Sequence, residues 1–231
     1  MATIKAKPEI YWISGSPYAW RVMLALEAKK VAYDSHLLDA SRGELKTPEF
    51  LRLNPRGKVP VLVHGDYVLT ESLAILAYLD RRFPSPPIFG EHAYETAQIW
   101  RLISEYLSYL HEPLNRVTTP IFAGKAAEKA EDIHAALRTV RAELARLEEN
   151  LTLATWLASE SISAADIAIY PFVRLLLRAA AKPAAAAFGF GLLPLREAYP
   201  RLAAWAQEVE RIPGYERTFP PHWKELLKDA A

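Results

Sequence analysis

Apolar and polar residues alternate along this chain with two periods, and the change falls near residue 84. Before it, short runs rich in branched and aromatic side chains are separated by turn residues. Residues 9–14, EIYWIS, read as a strand. The cluster Gly15-Ser16-Pro17-Tyr18 follows, then a helical run, AWRVMLALEAKK, whose buried side is Val22, Leu24, Ala25 and Leu26. Ser16 is placed as its N-cap and Pro17 as its first helical residue. Residues 32–38, AYDSHLL, predict a second strand with Tyr33 and Leu37 inward, and residues 48–53, PEFLRL, a short helix. A hairpin comes next, with strands over 60–63 and 67–69 joined by a Gly65-Asp66 turn. A helix then starts near Glu71, with Leu73, Leu76, Ala77 and Leu79 near one face, and Pro84 stops it. Strand, helix and strand at the start form a βαβ unit.

After a linker at 85–93, SPPIFGEHA, the period is helical throughout. Residues 94–122 predict a long helix or a broken pair, interrupted near Pro113 and Pro120. Ile133, Leu137, Val140, Leu144, Leu147 and Leu151 make one stripe of a bundle helix, spaced four and three apart in alternation. Ser163-Ala-Ala-Asp166 ahead of IAIYPFV has the form of a capping box. Residues 199–211 give a last amphipathic helix with Leu202, Trp205, Ala206 and Val209 inward, and the aromatic, proline-rich tail after it packs back. The expected architecture is an α/β N-terminal domain (βαβ-α-ββα, residues 1–84), the linker, and an all-α domain over residues 94–231.

Composition narrows the chemistry. The chain has 231 residues and a formal net charge of +1, so it carries no electrostatic footprint for nucleic acid. No apolar run is long enough to span a bilayer, and the first residues lack the apolar core of a signal peptide; a cytoplasmic protein is expected. There is no cysteine, so any thiol chemistry uses a sulfur brought by the substrate. His64, His92 and His134 lack metal-ligand spacing and read as surface residues; no metal is expected.

Two stretches carry candidate chemistry. Val59-Pro60 opens a strand where a missing N–H is awkward, which makes it a candidate cis bond. Thr70-Glu71-Ser72 puts a carboxylate, a hydroxyl and unpaired backbone N–H groups at a helix start. The N–H groups attract an anion and Glu71 suits an ammonium, so a ligand bearing both an amine and a carboxylate fits.

Val59-Pro60, followed eleven residues later by Glu71-Ser72, resembles the glutathione-binding half of the soluble glutathione S-transferases, and the N-terminal block as a whole resembles a thioredoxin-like domain. The resemblance implies a cis proline, backbone pairing of Val59 with the cysteinyl part of glutathione, and Glu71 and Ser72 on the γ-glutamyl end. The Ser16-Pro17-Tyr18 turn with Trp20-Arg21-Val22 after it resembles the zeta-class turn, which makes Ser16 the favoured thiol-activating hydroxyl and leaves Ser14 and Tyr18 as alternatives. The same turn resembles the CPF turn of omega-class enzymes and the CPYC turn of glutaredoxins, but it reads SPYA, so thiol–disulfide exchange has lost its nucleophile. Lys58 looks like the theta-class lysine near the glycyl carboxylate. Leu45 stands where a further histidine is found in that class, with Lys46 or Arg42 as substitutes.

The implied function is a serine-type glutathione transferase with glutathione as co-substrate and a hydrophobic electrophile as second substrate. The alternatives are a zeta-like, glutathione-dependent cis–trans isomerase and a non-catalytic ligand-binding protein of the same fold. The electrophile pocket is expected between the domains, from Tyr18, Tyr106, Tyr109, His111, Phe122 and Trp223, with Arg116 and Arg174 for an anionic substrate. The resemblance also implies a homodimer formed through the hairpin and the last helix of the first domain.

Overall fold

The computed structural model describes residues 6–223 and divides into two compact units. One comprises the chain up to Ile88 together with Ile212–Trp223; the other is Phe89–Arg211.

The first unit is built on a four-stranded sheet of β1 (Glu9–Ile13), β2 (Asp34–Leu38), β3 (Val61–His64) and β4 (Tyr67–Thr70) in the order β2-β1-β3-β4. β2 runs parallel to β1, with Tyr11 opposite His36; β3 is antiparallel to both β1 and β4, with Val61 opposite Thr70. The helices of this unit are α1 (Pro17–Ala28), α2 (Pro48–Leu53) and α3 (Ser72–Arg82). Residues Ala19 to Glu27 of α1 are all buried. A helix apolar on every side needs cover beyond a sheet and one neighbour. α3 packs on one side, and the C-terminal segment supplies the rest through α10 (Tyr215–Thr218). Trp20 meets Phe219 and Trp223 edge-on, and its Nε1 donates to Thr218 Oγ1 at 2.9 Å. The tail up to Trp223 therefore belongs to the first unit, where the sequence pattern had grouped it with the helical domain. Two of the buried charges are paired: Glu27 accepts from Tyr33 and Arg217, and Lys29 donates to Asp80 and to the Pro86 carbonyl.

Three expectations are corrected here. Leu37 is 53% exposed, because β2 is the edge of the sheet and covers only one neighbour. Tyr33 lies just ahead of β2 and is only half-buried, its hydroxyl held by Glu27. His64 is 1% exposed, not a surface residue. Its Nε2 donates to the Ala6 carbonyl at 2.8 Å, its Nδ1 lies 2.8 Å from the Tyr78 hydroxyl, and Phe83 stacks on it. On α3 the buried residues are Ser72, Ile75, Leu76 and Leu79, with Leu73 and Ala77 at the margin.

The second unit is helical. α4 (Ala93–Glu105) passes through a widened π-type segment (Tyr106–Leu110) into α5 (His111–Phe122). The interruption falls just before Pro113, whose ring would otherwise press on a carbonyl of the preceding turn; Pro120 sits within α5, near its end. In α6 (Ala130–Asn150) the stripe Ile133, Leu137, Val140, Leu144 and Leu147 is buried, as is Leu151 beyond it. α7 (Ala164–Ala180) is the core helix and opens with a complete capping box. The short α8 (Leu195–Ala198) leads into α9 (Pro200–Glu210), which buries Leu202, Trp205, Ala206 and Val209. No helix among the described residues is long and apolar enough to cross a membrane.

Candidate functional site

A cleft of about 470 Å³ lies within the first unit, where the starts of α1 and α3 and the loop before β3 converge. At the α1 end, Gly15 takes φ +83°, a left-handed conformation that lets the chain turn off β1. Ser16 caps α1, its Oγ accepting from the Ala19 N–H at 3.3 Å, and Pro17 supplies the first helical residue. That cap uses only a lone pair, so the Ser16 hydroxyl hydrogen remains available to an anion in the cleft. Tyr18 also lines the cleft, with the Arg21 guanidinium 5.5 Å from its ring centre.

The opposite wall is the loop Asn54–Pro60. Asn54 is buried and organises it: its Nδ2 donates to the Lys58 carbonyl at 2.6 Å and its Oδ1 accepts from the Arg56 N–H at 3.1 Å. The Val59–Pro60 peptide bond is cis. Val59 lies ahead of the β3–β4 ladder, which starts at Val61, and it lines the cleft. Lys58 is exposed at the same wall, and Leu45, half-buried in the short 3-10 turn Glu44–Lys46, lines it as well. Lys46 reaches it too: a Cβ at Gly57 would lie 2.7 Å from Lys46 Nζ and 2.9 Å from the Leu45 carbonyl oxygen.

The third wall is the start of α3. Glu71 adopts φ 66°, ψ 107°, a conformation rare for a residue with a Cβ. Ser72 begins the helix and is 6% exposed. Its Oγ accepts from Arg21 Nη1 at 3.3 Å. The first N–H groups of an 11-residue helix thus meet a hydroxyl and a carboxylate at one mouth.

The structure therefore gathers Ser16, Tyr18, Lys58, Val59, Pro60, Glu71 and Ser72 around a single cleft. Ser14 does not line it; its Oγ lies 2.6 Å from His222 Nδ1 in the C-terminal segment. Trp223 is buried in the first unit against Trp20. In the second unit Tyr106 is buried against Phe172 and His111, while Tyr109 is exposed. Phe122 packs under the Arg178 guanidinium, Arg116 pairs with Asp132 and Glu112, and Arg174 with Glu210. Asp132 holds Arg116 further into its charged form, and Arg116 in turn holds the Asp132 carboxyl below its ordinary value. Two participants escaped the sequence reading: Arg21, behind Ser72, and His222, behind Ser14.

Residues 15–82 match the family model of the glutathione S-transferase N-terminal domain, and residues 99–213 that of the C-terminal domain. The chain is 32% identical to glutathione S-transferase A of Pleuronectes platessa, over 95% of this chain and 97% of that one. It is 38% identical to a probable maleylacetoacetate isomerase of Vibrio cholerae over 46% of this chain and 49% of that one. The crystal structure of a glutathione S-transferase from the Antarctic clam Laternula elliptica superposes with a TM-score of 0.79 at 28% identity, covering 98% of this chain and all of that one. With its cleft at the paired helix starts and both family domains matched, the chain belongs to the soluble glutathione S-transferase family.

Proposed function

We propose that the chain is a serine-type glutathione transferase that takes glutathione as co-substrate in the cleft of its first unit. The observation that carries this is the convergence of Ser16, Val59 and the Glu71-Ser72 helix start on one cavity. In this reading the γ-glutamyl carboxylate meets the N–H groups of α3 and the Ser72 hydroxyl, and the γ-glutamyl ammonium meets Glu71. The Val59 backbone pairs with the cysteinyl residue, and Lys58 with Lys46 faces the glycyl carboxylate.

Ser16 then donates to the sulfur at the positive end of α1. A free thiol titrates near ~8.5 and is mostly protonated at neutral pH. A hydrogen bond to the anion worth roughly 1.5–3 kcal/mol lowers that value by about one to two units. Much of the bound glutathione is then thiolate, its proton released to solvent. The thiolate attacks an electrophilic carbon of a hydrophobic second substrate; the S–C bond forms, the leaving group departs with its electron pair, and no covalent bond to the protein is made. The protein works in the cytoplasm, in detoxification, as a homodimer; the exposed Tyr67 and Val68 of β4 are the apolar positions that support a paired hairpin.

Steady-state conjugation of 1-chloro-2,4-dinitrobenzene tests the reading. Ser16→Ala is expected to lower turnover at pH 7 by about 8- to 25-fold, the ratio of thiolate fractions there for a bound-thiol pKa one to two units below ~8.5, with a smaller effect on the KM for glutathione. Glutathione that binds without turnover of any electrophile by the wild type would make the chain a ligand-binding protein instead. The similarity to a maleylacetoacetate isomerase favours one second reading, in which glutathione adds to a cis alkene and leaves again. Isomerisation of such an alkene without consumption of glutathione would establish it.

A further inference from the structure

We propose that Arg21 is a positioning residue that fixes the polarity of the Ser72 hydroxyl, committing it to donate to the α-carboxylate of the ligand. The proposal rests on the glutathione reading above and assigns a role within that site to a residue outside the cleft wall.

Arg21 lies on the second turn of α1, on the helix that Ser16 caps, and is 2% exposed. Its Nη1 lies 3.3 Å from Ser72 Oγ, across 51 positions of sequence, and its guanidinium sits 5.5 Å from the centre of the Tyr18 ring. A guanidinium has donors only, whereas a serine hydroxyl has one hydrogen and two acceptor sites. In this contact Ser72 Oγ can therefore only accept. Its single hydrogen is left for a partner other than Arg21, and a carboxylate bound at the mouth of α3, where Ser72 and Glu71 line the cleft, supplies one. Without that constraint the hydroxyl rotates among acceptors, and an arriving carboxylate must compete for it. The buried cation adds a second effect of the same sign, a fixed positive charge behind the carboxylate position in a region poor in water. Arg21 touches no ligand in this account; it acts through Ser72, and it ties the helix that presents Ser16 to the helix that presents Ser72.

Calorimetric titration of the full chain tests this with glutathione and with γ-aminobutyryl-cysteinylglycine, which is glutathione lacking only the α-carboxylate. Wild type is expected to prefer glutathione, and Ser72→Ala to cut that preference about tenfold. Arg21→Gln introduces an acceptor beside Ser72 and is expected to cut the preference by a comparable factor. Arg21→Lys, again donor-only, is expected to restore most of it. The double variant Arg21→Gln/Ser72→Ala is expected to lose no more than either single one. Equal weakening of both ligands by Arg21→Gln would overturn the proposal, because a packing role alone predicts that. Losses that multiply in the double variant would overturn it as well. Should Arg21→Gln fail to fold, Arg21→Lys decides: a preserved preference supports the assignment and a lost one overturns it. A wild type that binds neither peptide would instead end the glutathione reading, and this proposal with it.

Discussion

Asp166 offers the sharpest energetic test of the helical unit. It is fully buried at the start of α7, and four donors point at it. Oδ1 accepts from the Leu157 N–H at 2.9 Å and from Trp205 Nε1 at 2.8 Å; Oδ2 accepts from the Ser163 N–H at 2.8 Å and Oγ at 2.7 Å. Asp166→Ala removes all four acceptor contacts. The Ser163 hydroxyl can rotate, but three buried N–H groups keep no partner, each at a cost of about 1–3 kcal/mol. Relief of the buried charge offsets part of this, which leaves an expected loss of about 4 kcal/mol, or ~8–16 °C in Tm for a chain of this size. Asp166→Asn keeps the Oδ1 acceptor and turns an N–H toward Ser163, so about 1–2 kcal/mol is expected. The sign of the pH dependence follows from burial, which pushes the Asp166 carboxyl above its ordinary value against the pull of its donors. A carboxyl raised on folding contributes most below its unfolded value near ~3.9 and loses that contribution as pH rises through the folded value. The gap between wild type and Asp166→Asn should therefore be wider near pH ~4.5 than near pH ~7. Urea and thermal unfolding followed by far-UV circular dichroism measure all three quantities. A loss below about 1 kcal/mol for Asp166→Ala would refute the reasoning, since it would mean that the three donors find other partners.

Glu71→Gly should separate stability from binding. It relieves a backbone conformation that costs a residue with a Cβ about 1–3 kcal/mol, so the melting temperature should hold or rise while affinity for glutathione falls about tenfold; a lower melting temperature would count against the strain argument. Gly57→Ala forces a left-handed residue and a close approach to Lys46 Nζ and the Leu45 carbonyl. We expect a loss of about 1–2 kcal/mol in stability together with weaker glutathione binding, and a silent variant would show that the Leu45–Lys46 loop yields freely.

Features set by local chemistry were legible in the sequence. The Ser16-Pro17 helix start, the Gly65-Asp66 turn, the α6 stripe and the Ser163 capping box each depend on residues within a few positions of one another. The features that escaped it depend on partners far along the chain. Leu37 looks like a core residue until β2 is known to be an edge, and His64 looks exposed beside a glycine turn until Tyr78 and Ala6 close over it. The return of the tail to α1 rests on Trp20 meeting Thr218, Phe219 and Trp223 some 200 positions away. The π-type turn before Pro113 shows the same limit: a proline announces an interruption but does not say which side of it will widen. In the cleft, residue types marked Ser16, Val59, Pro60, Glu71 and Ser72, but the Arg21–Ser72 contact has no local signal because its partners lie on different helices.

The central claim is that Ser16 stabilises the thiolate of bound glutathione. Ultraviolet difference titration of glutathione, following thiolate absorbance across pH with wild type and Ser16→Ala, addresses it directly. The account predicts a bound-thiol pKa about one to two units below the free value near ~8.5 in wild type, and a return toward the free value in Ser16→Ala with glutathione still bound. An unshifted value in both proteins would contradict thiolate activation altogether, and a shift that survives in Ser16→Ala would move the activating role to Tyr18, the other hydroxyl that lines the cleft.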